Sequence, residues 1–196
     1  MAAISTPEVD IAVGMGSTWD TARDLTASNV GKLLHCSSFT VSADFGTFQP
    51  RDIGFDNFIT TVTRLQKSVG VSLTCDLNYY GLWAQIAASV LGTSTAVPAE
   101  TTSGQGDYTH NVDLASNIDG KYMTVVWKIE SNYVLEIPSV KWNSFSIQHD
   151  ANGVGTFSAS GIGSRVIDNA SVSNTATEVD TLSYTTYEPA VLGGSN

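Results

Sequence analysis

Residues 68–92 read SVGVSLTCDLNYYGLWAQIAASVLG, and a change of period inside them decides the fold. At first Val69, Val71, Leu73, Cys75 and Leu77 alternate with Gly70, Ser72, Thr74 and Asp76, the two-residue period of a strand with one buried face. The apolar positions then become Tyr79, Leu82, Trp83, Ile86, Ala87 and Val90, spaced to line one side of an α-helix. Asp76 or Asn78 can cap its start, and Gly92 can close its end in a left-handed conformation. A helix over 78–91 is expected directly after a strand, with Tyr79, Leu82, Trp83, Ile86 and Val90 as its core stripe. It is the one convincing helix in the sequence.

Short strands are expected on both sides of this unit. Before it lie 33–42 and 58–65; the apolar parity changes between Leu34/Cys36 and Phe39/Val41, as it would at a bulge around Ser37-Ser38. After a polar loop at 93–106 come 108–114, 121–129, 133–137 and 140–149. Pro138 interrupts, and a second parity slip between Trp142 and Phe145 reads as another bulge. A last strand is expected at 181–186. Many short strands around one helix predict an all-β protein, an antiparallel β-sandwich or barrel with the helix packed on an open face. The expected organisation is an extended arm at 1–31 with at most a short strand at 9–13, one domain over 32–187, and a flexible tail at 188–196.

Residues 144–165, SFSIQHDANGVGTFSASGIGSR, have the composition of a linker, yet Asn152-Gly153 sits at their centre like a hairpin turn. A two-residue turn there pairs His149 with Thr156, Ile147 with Ser158 and Phe145 with Ser160. One face then holds Ser144, Ser146, Gln148 and Asp150 across from Gly161, Ala159, Phe157 and Gly155. Neither face of that hairpin is a good hydrophobic slab. Residues 43–56, ADFGTFQPRDIGFD, are too apolar for a solvent loop and too broken for a strand.

The chain has 196 residues, enough to bury a core without disulfide or metal staples. Charged residues are 14% of it, against about 25% in an average globular protein, and Ser, Thr, Asn and Gly take their place. Nine basic and 19 acidic side chains leave a net charge of −10, which argues against tight nucleic-acid binding but fits a surface that DNA passes without sticking. No basic leader and no apolar run of about 20 residues is present, so a soluble chain without a secretion signal is expected. Cys36 and Cys75 form no CxxC pair, and both are expected to be reduced thiols, Cys75 packed as a small hydrophobe.

Chemistry is hard to find. His35, His110 and His149 lack metal-ligand spacing, and in Asp107-x-x-His110-x-x-Asp113 a strand would turn the outer two side chains away from the middle one. The strand-to-helix junction CDLNYYG offers no nucleophile at its turn. Gly161-Ile162-Gly163-Ser164 and Gly14-Met15-Gly16-Ser17 lack the rest of a phosphate loop. No catalytic residue, metal or cofactor is expected, and the protein is read as not an enzyme. Trp19, Trp83, Trp127 and Trp142 could form a sugar platform, which keeps a carbohydrate-binding sandwich as the alternative outside assembly.

Four stretches in this order carry a resemblance: IAVGMGSTWDTA (11–22), VGVSLTCDLNYYGL running into LWAQIAASVLG (69–92), KYMTVVWKI (121–129) and VKWNSFSIQHDANGVGTFSASGIGSR (140–165). Together they resemble the major tail tube proteins of long-tailed, siphovirus-type bacteriophages over about residues 10–167. The first stretch departs from that pattern, with Ser17-Thr18 where an acidic residue commonly stands. The resemblance implies a virion structural protein, made and assembled in the host cytoplasm, that forms stacked rings, six copies to a ring. Those rings would build a hollow tail tube for double-stranded DNA. It implies tape-measure, terminator and baseplate proteins as further partners and no membrane insertion. A tube-fold terminator, baseplate or decoration protein is the rival within the same class. Under the resemblance Ser144, Ser146, Gln148, Asp150, Gly155 and Ala159 become candidate lumen residues. Asp44, Phe45, Phe48, Arg51, Asp52, Ile53, Phe55 and Asp56 become a candidate loop reaching the next ring.

Overall fold

The structure, a computed structural model, describes residues 9–27, 31–44, 47–48, 63–64, 68–78, 83–92, 99–100, 108–109, 114, 121–129, 132–149 and 153–185. Its strands are β1 (Val9–Gly16), β2 (Lys32–Leu34), β3 (Cys36–Asp44), β4 (Thr47–Phe48), β5 (Thr63–Arg64) and β6 (Ser68–Asp76), followed by helix α1 (Trp83–Leu91). Then come β7 (Ala99–Glu100), β8 (Tyr108–Thr109), β9 (Tyr122–Ile129), β10 (Tyr133–Gln148), β11 (Thr156–Gly163) and β12 (Ile167–Asp168), and a short helix α2 (Ala176–Val179). The main sheet is antiparallel, in the order β2-β1-β9-β10-β11-β6-β3 with β12 beside β10. Two small pairs, β4–β5 and β7–β8, stand outside it.

This sheet curls onto itself, and the sequence shows why. Its outermost strands, β2 and β3, are separated only by His35, so the two ends of the strand order must meet. At the other turn β10 runs through both halves, pairing with β9 over its first part and with β11 from Val140 to Gln148. The result is two facing walls: β2, β1, β9 and residues 133–140 form one, and residues 141–148, β11, β6 and β3 form the other. This is the antiparallel sandwich or barrel with a packed helix that the strand pattern predicts.

The core between the walls takes Ile11 and Val13 from β1, Val69, Val71 and Leu73 from β6, and Met123, Val125 and Trp127 from β9, with Ile137, Val140, Trp142 and Phe157. Phe39 meets Trp127 edge to face at 5.4 Å between ring centres, joining the walls where β3 begins. Helix α1 buries Ile86 and packs Trp83 and Val90 against the same cluster. The Trp83 indole N–H donates to the Asn78 carbonyl at 3.0 Å, and Gly92 closes the helix at φ 96° with its N–H on the Ala88 carbonyl. Tyr79 and Leu82 of the expected stripe lie outside the described residues.

Both expected bulges are present, between Cys36 and Ser38 and between Trp142 and Ser144. Pro138 does not break β10. It lacks an N–H, so the ladder to β9 slips between Ile137 and Val140, while its carbonyl accepts from Thr124 Oγ1 at 2.8 Å.

Three expectations change. Residues 9–16 do not belong to an arm: β1 lies inside the sheet between β2 and β9, with residues 11–14 buried. Gly14 and Gly16 do not interrupt it, since each has a register partner on β9, Thr124 and Tyr122. The expected strand at 181–186 is, in its described part, a single parallel bridge from Tyr184 to Leu33. Helix α2 precedes it, started by a capping box in which Thr175 and Glu178 bond each other's backbone N–H. Finally, Cys36 and Cys75 are not free thiols. They are register partners across β3 and β6, with Cα atoms 4.1 Å apart, and form a disulfide.

Candidate assembly surface

The second wall sorts its side chains cleanly between two faces. Observed pairing is Phe145↔Ala159, Ser146↔Ser158, Ile147↔Phe157 and Gln148↔Thr156, one residue away from the pairing that a two-residue turn at Asn152-Gly153 predicts. A shift of one residue moves a strand's whole set to the other face. Phe145, Phe157 and Ala159 therefore share the core face with Val71, Leu73 and Phe39, and the hairpin has an apolar slab after all.

The outward face is a lattice of hydroxyls. One row crosses the wall as Ser146, Ser158, Thr74 and Ser38; the next as Ser144, Ser160, Ser72 and Thr40; Gln148, Thr156 and Asp76 form a third. Ser144 Oγ and Ser160 Oγ bond at 2.6 Å, and Thr74 Oγ1 and Ser158 Oγ at 3.0 Å. Ser37 Oγ donates to the Thr74 carbonyl across the bulge at 3.0 Å. These groups satisfy one another laterally, so the face needs no apolar cover. Ile162, 52% exposed, is its one large apolar side chain among the described residues.

The wall contains no arginine, and its single lysine is held by backbone oxygens. Lys141 Nζ donates to the carbonyls of Ser89, near the C-terminal end of α1, and of Lys121, at 3.0 and 3.2 Å. It also lies 5.7 Å from the centre of the Tyr122 ring.

Glycines sit where the wall is tightest. A Cβ on Gly161 would lie 2.6 Å from the Lys141 carbonyl oxygen, at the bulge, so β10 and β11 approach there only without a side chain. A Cβ on Gly70 would crowd Ser42 Oγ, at 2.7 Å, which can rotate away, and meet the Ser42 carbonyl oxygen at an ordinary 3.8 Å.

The sequence-predicted lumen residues divide. Ser144, Ser146 and Gln148 stand together, exposed, on the hydroxyl face. Ala159 is 4% exposed on the core face, and Gly155 is buried against His149 and Leu77, so neither belongs with them. Their places are taken by Thr156, Ser158 and Ser160, which the shifted pairing aligns with the predicted three. Asp150 lies outside the described residues. Of the predicted inter-ring loop, Asp44 ends β3 opposite Ser68, and Phe48 lies in β4 opposite Thr63. Phe45, Arg51, Asp52, Ile53, Phe55 and Asp56 lie outside the described residues, as do His110, Asp107 and Asp113.

Among the described residues both edges of this wall are open. Residues 141–148 pair with β11 on one side, and β3 pairs with β6; among the described residues no strand pairs with either outer edge. The other wall is finished differently. Its end strand β2 is capped by residues 183–185, with Leu33 N–H on the Ser183 carbonyl and Thr185 N–H on the Leu33 carbonyl. Its outer face, with Ala12, Leu33, Val126 and Val134, lies under Leu25, Val172, Ala176, Val179 and Leu182.

A buried carboxylate fastens that cover. Glu136, 0% exposed, accepts from Ser173 N–H, Asn174 N–H and Asn174 Nδ2 at 3.1, 3.0 and 2.6 Å. Asn174 Oδ1 accepts from Leu25 N–H at 2.8 Å, and its Nδ2 also reaches the Arg23 carbonyl, which ties the segments at 17–27 and 169–185 to each other. Lys128 pairs with Asp180 alongside. Sequence reading misses this site because its members are 38 and 149 residues apart.

No protein-family model matches the sequence, and no curated protein matches it. Among solved structures the chain is similar to the SPP1 tail tube, at 8% identity over 88% of this chain and 84% of that one, with a TM-score of 0.49. It is also similar to a chain of the PVC sheath–tube complex of an extracellular contractile injection system, at 13% identity over 85% and 92%, TM-score 0.42. An Hcp protein aligns at 8% identity over 84% and 92%, TM-score 0.39.

Proposed function

We propose that this chain is a tail tube subunit: copies join head to tail along the open edges of the hydroxyl-faced wall into closed rings, and rings stack into a tube that passes double-stranded DNA. The observation that carries this reading is a four-stranded wall that, among the described residues, has one bare hydroxyl face and an unpaired strand on each side. Exposed edges of eight and nine residues are a liability for a monomer, and ring closure removes them. The strand count also fits. Four antiparallel strands alternate in direction, so rotation about a ring axis brings residues 141–148 of one copy antiparallel to β3 of the next. An odd number would force a parallel junction.

The hydroxyl face then turns inward. Ser and Thr offer DNA no cation, Lys141 is engaged elsewhere, and a net charge of −10 opposes counterion-release binding. Segment 43–56, with its phenylalanines, is left to contact the next ring, and tape-measure and terminator proteins would meet the tube's interior and end. Six copies per ring and placement in a virion tail belong to the same proposal.

Size-exclusion chromatography with negative-stain microscopy of the purified chain tests it. Hollow tubes of uniform width are expected. Rings that do not elongate would move the chain to a terminator role, and a monomer at millimolar concentration would overturn ring assembly.

A further inference from the structure

Beside β3 the two walls leave the core open. A groove of about 540 Å³ lies there, with Val9, Phe39, Val41, Trp127, Leu135 and Val166 in its lining. At the opposite edge of the hydroxyl-faced wall, Ile147 is 45% exposed although it occupies a core-face position, and its neighbour on that face, Phe145, is only partly buried. One edge thus has unfilled apolar space and the other has unburied apolar side chains.

We infer that the groove receives Ile147 and Phe145 from a second copy of the chain, an inference that rests on the head-to-tail pairing proposed above. Pairing of residues 141–148 with β3 continues the sheet, so side chains keep their faces across the junction. Those on the face of Phe39 and Val41 point toward the groove, and in the added strand these are Phe145 and Ile147. The rows agree in level: Ile147, Phe157, Cys75 and Cys36 form one, and Phe145, Ala159, Leu73 and Phe39 the next. Continued into the next copy, the first row sets Ile147 beside Cys36 and the second sets Phe145 beside Phe39. A stagger of two residues slides both along the groove without changing face. The junction then has a dry apolar side under the backbone ladder and a hydroxyl side above it, as a strand added to a sheet edge requires. The disulfide stands at the rim and ties the acceptor strand β3 to β6.

A photo-crosslinking amino acid, p-benzoylphenylalanine, placed at position 147 and irradiated in assembled material tests the contact by mass mapping of adducts. Intermolecular adducts within 36–41, or at Leu135 or Val166, are expected, and the same probe at Ser146 should give none there. Ile147→Asp should raise the concentration needed for assembly about tenfold or more, as loss of one buried aliphatic side chain implies, while Ile147→Leu stays near the parent. Circular dichroism separates this from misfolding, since Ile147 is half exposed in the single chain. Rings that form with adducts elsewhere, or that ignore Ile147→Asp, overturn the groove contact and leave ring assembly standing. A chain that never associates overturns both.

Discussion

One strand, β10, serves two walls, and the outer faces it contributes to are opposites. Over residues 133–140 the outer face carries Val134 and the buried Glu136, beside Val126 and Ala12, and two segments of chain are spent in covering it. Over 141–148 the outer face carries Ser144, Ser146 and Gln148, and no described segment covers it. Each face has the cover its chemistry requires. Apolar surface left in water costs roughly 25 cal/mol per Å², whereas hydroxyls bonded along a strand ladder lose little by staying wet. The contrast teaches which surface this fold leaves for use: the bare wall and its edges, rather than the covered one.

The largest effect that should sharpen this contrast is at Glu136. Glu136→Ala removes the acceptor of the Ser173 N–H, of the buried Asn174 N–H and of one Asn174 amide bond, and should destabilise the chain by about 3 kcal/mol. Ser158→Ala on the bare wall should stay within about 0.5 kcal/mol. Urea denaturation of both variants measures the difference, and equal losses would break the division into a fastened wall and a free one.

Next in size is the disulfide, which belongs to the bare wall alone. It joins positions 39 residues apart, and its reduction should cost about 2–4 kcal/mol. Denaturation with and without reductant, beside a thiol titration that finds none free in the oxidised chain, checks both the bond and its worth.

These two sites also mark the limit of what the sequence makes legible. The strand-to-helix switch within 68–92 and both bulges are local signals of period, and the structure carries the strand, the bulges and, over Trp83–Leu91, the described part of the helix expected at 78–91. The hairpin register is one residue off because Asn152-Gly153 implies a two-residue turn, while the ladder closes at Gln148↔Thr156. That slip alone misassigned Ala159 and Gly155. Cys36 and Cys75 meet only because β3 and β6 share a register, which no spacing in sequence reveals. The cover has no period, since 17–27 and 169–185 each bury a few side chains between turns. One signal for it was readable: Thr175-x-x-Glu178 is a capping box, and it starts α2.

A smaller effect separates two glycines of the bare wall. Gly161→Ala drives a Cβ against the Lys141 backbone and should cost about 1–3 kcal/mol, because β10 and β11 would have to part at the bulge. Gly70→Ala crowds the rotatable Ser42 hydroxyl but no backbone atom, and should change stability by less than about 0.5 kcal/mol in either direction. If Gly161→Ala proved equally mild, the close approach at Trp142/Ser144 would not be what fixes the face assignment of Ser144, Ser146 and Gln148.

The smallest effect lies at the rim of the covered wall. Asp24 Oδ1 accepts from Thr26 Oγ1 at 2.7 Å, from Thr26 N–H at 2.9 Å and from Ala27 N–H at 3.2 Å, closing the turn that follows the segment held by Asn174. The hydrogen bond from the Thr26 hydroxyl, then that from its backbone N–H, favour the carboxylate and lower its pKa below the ordinary 3.8. A lowered pKa means that the folded chain binds this proton less readily than the unfolded one. The turn therefore contributes stability above the ordinary carboxylate value and loses it as pH falls through the lowered one. Because Asp24 is fully exposed, the change should stay local: the amide resonances of Thr26 and Ala27 should titrate together with a midpoint below 3.8, and Asp24→Asn should abolish that titration. The Leu25 amide, held by Asn174 rather than by Asp24, should not share the midpoint, and if it did, the cover would release as one piece with its turn instead of fraying from the rim.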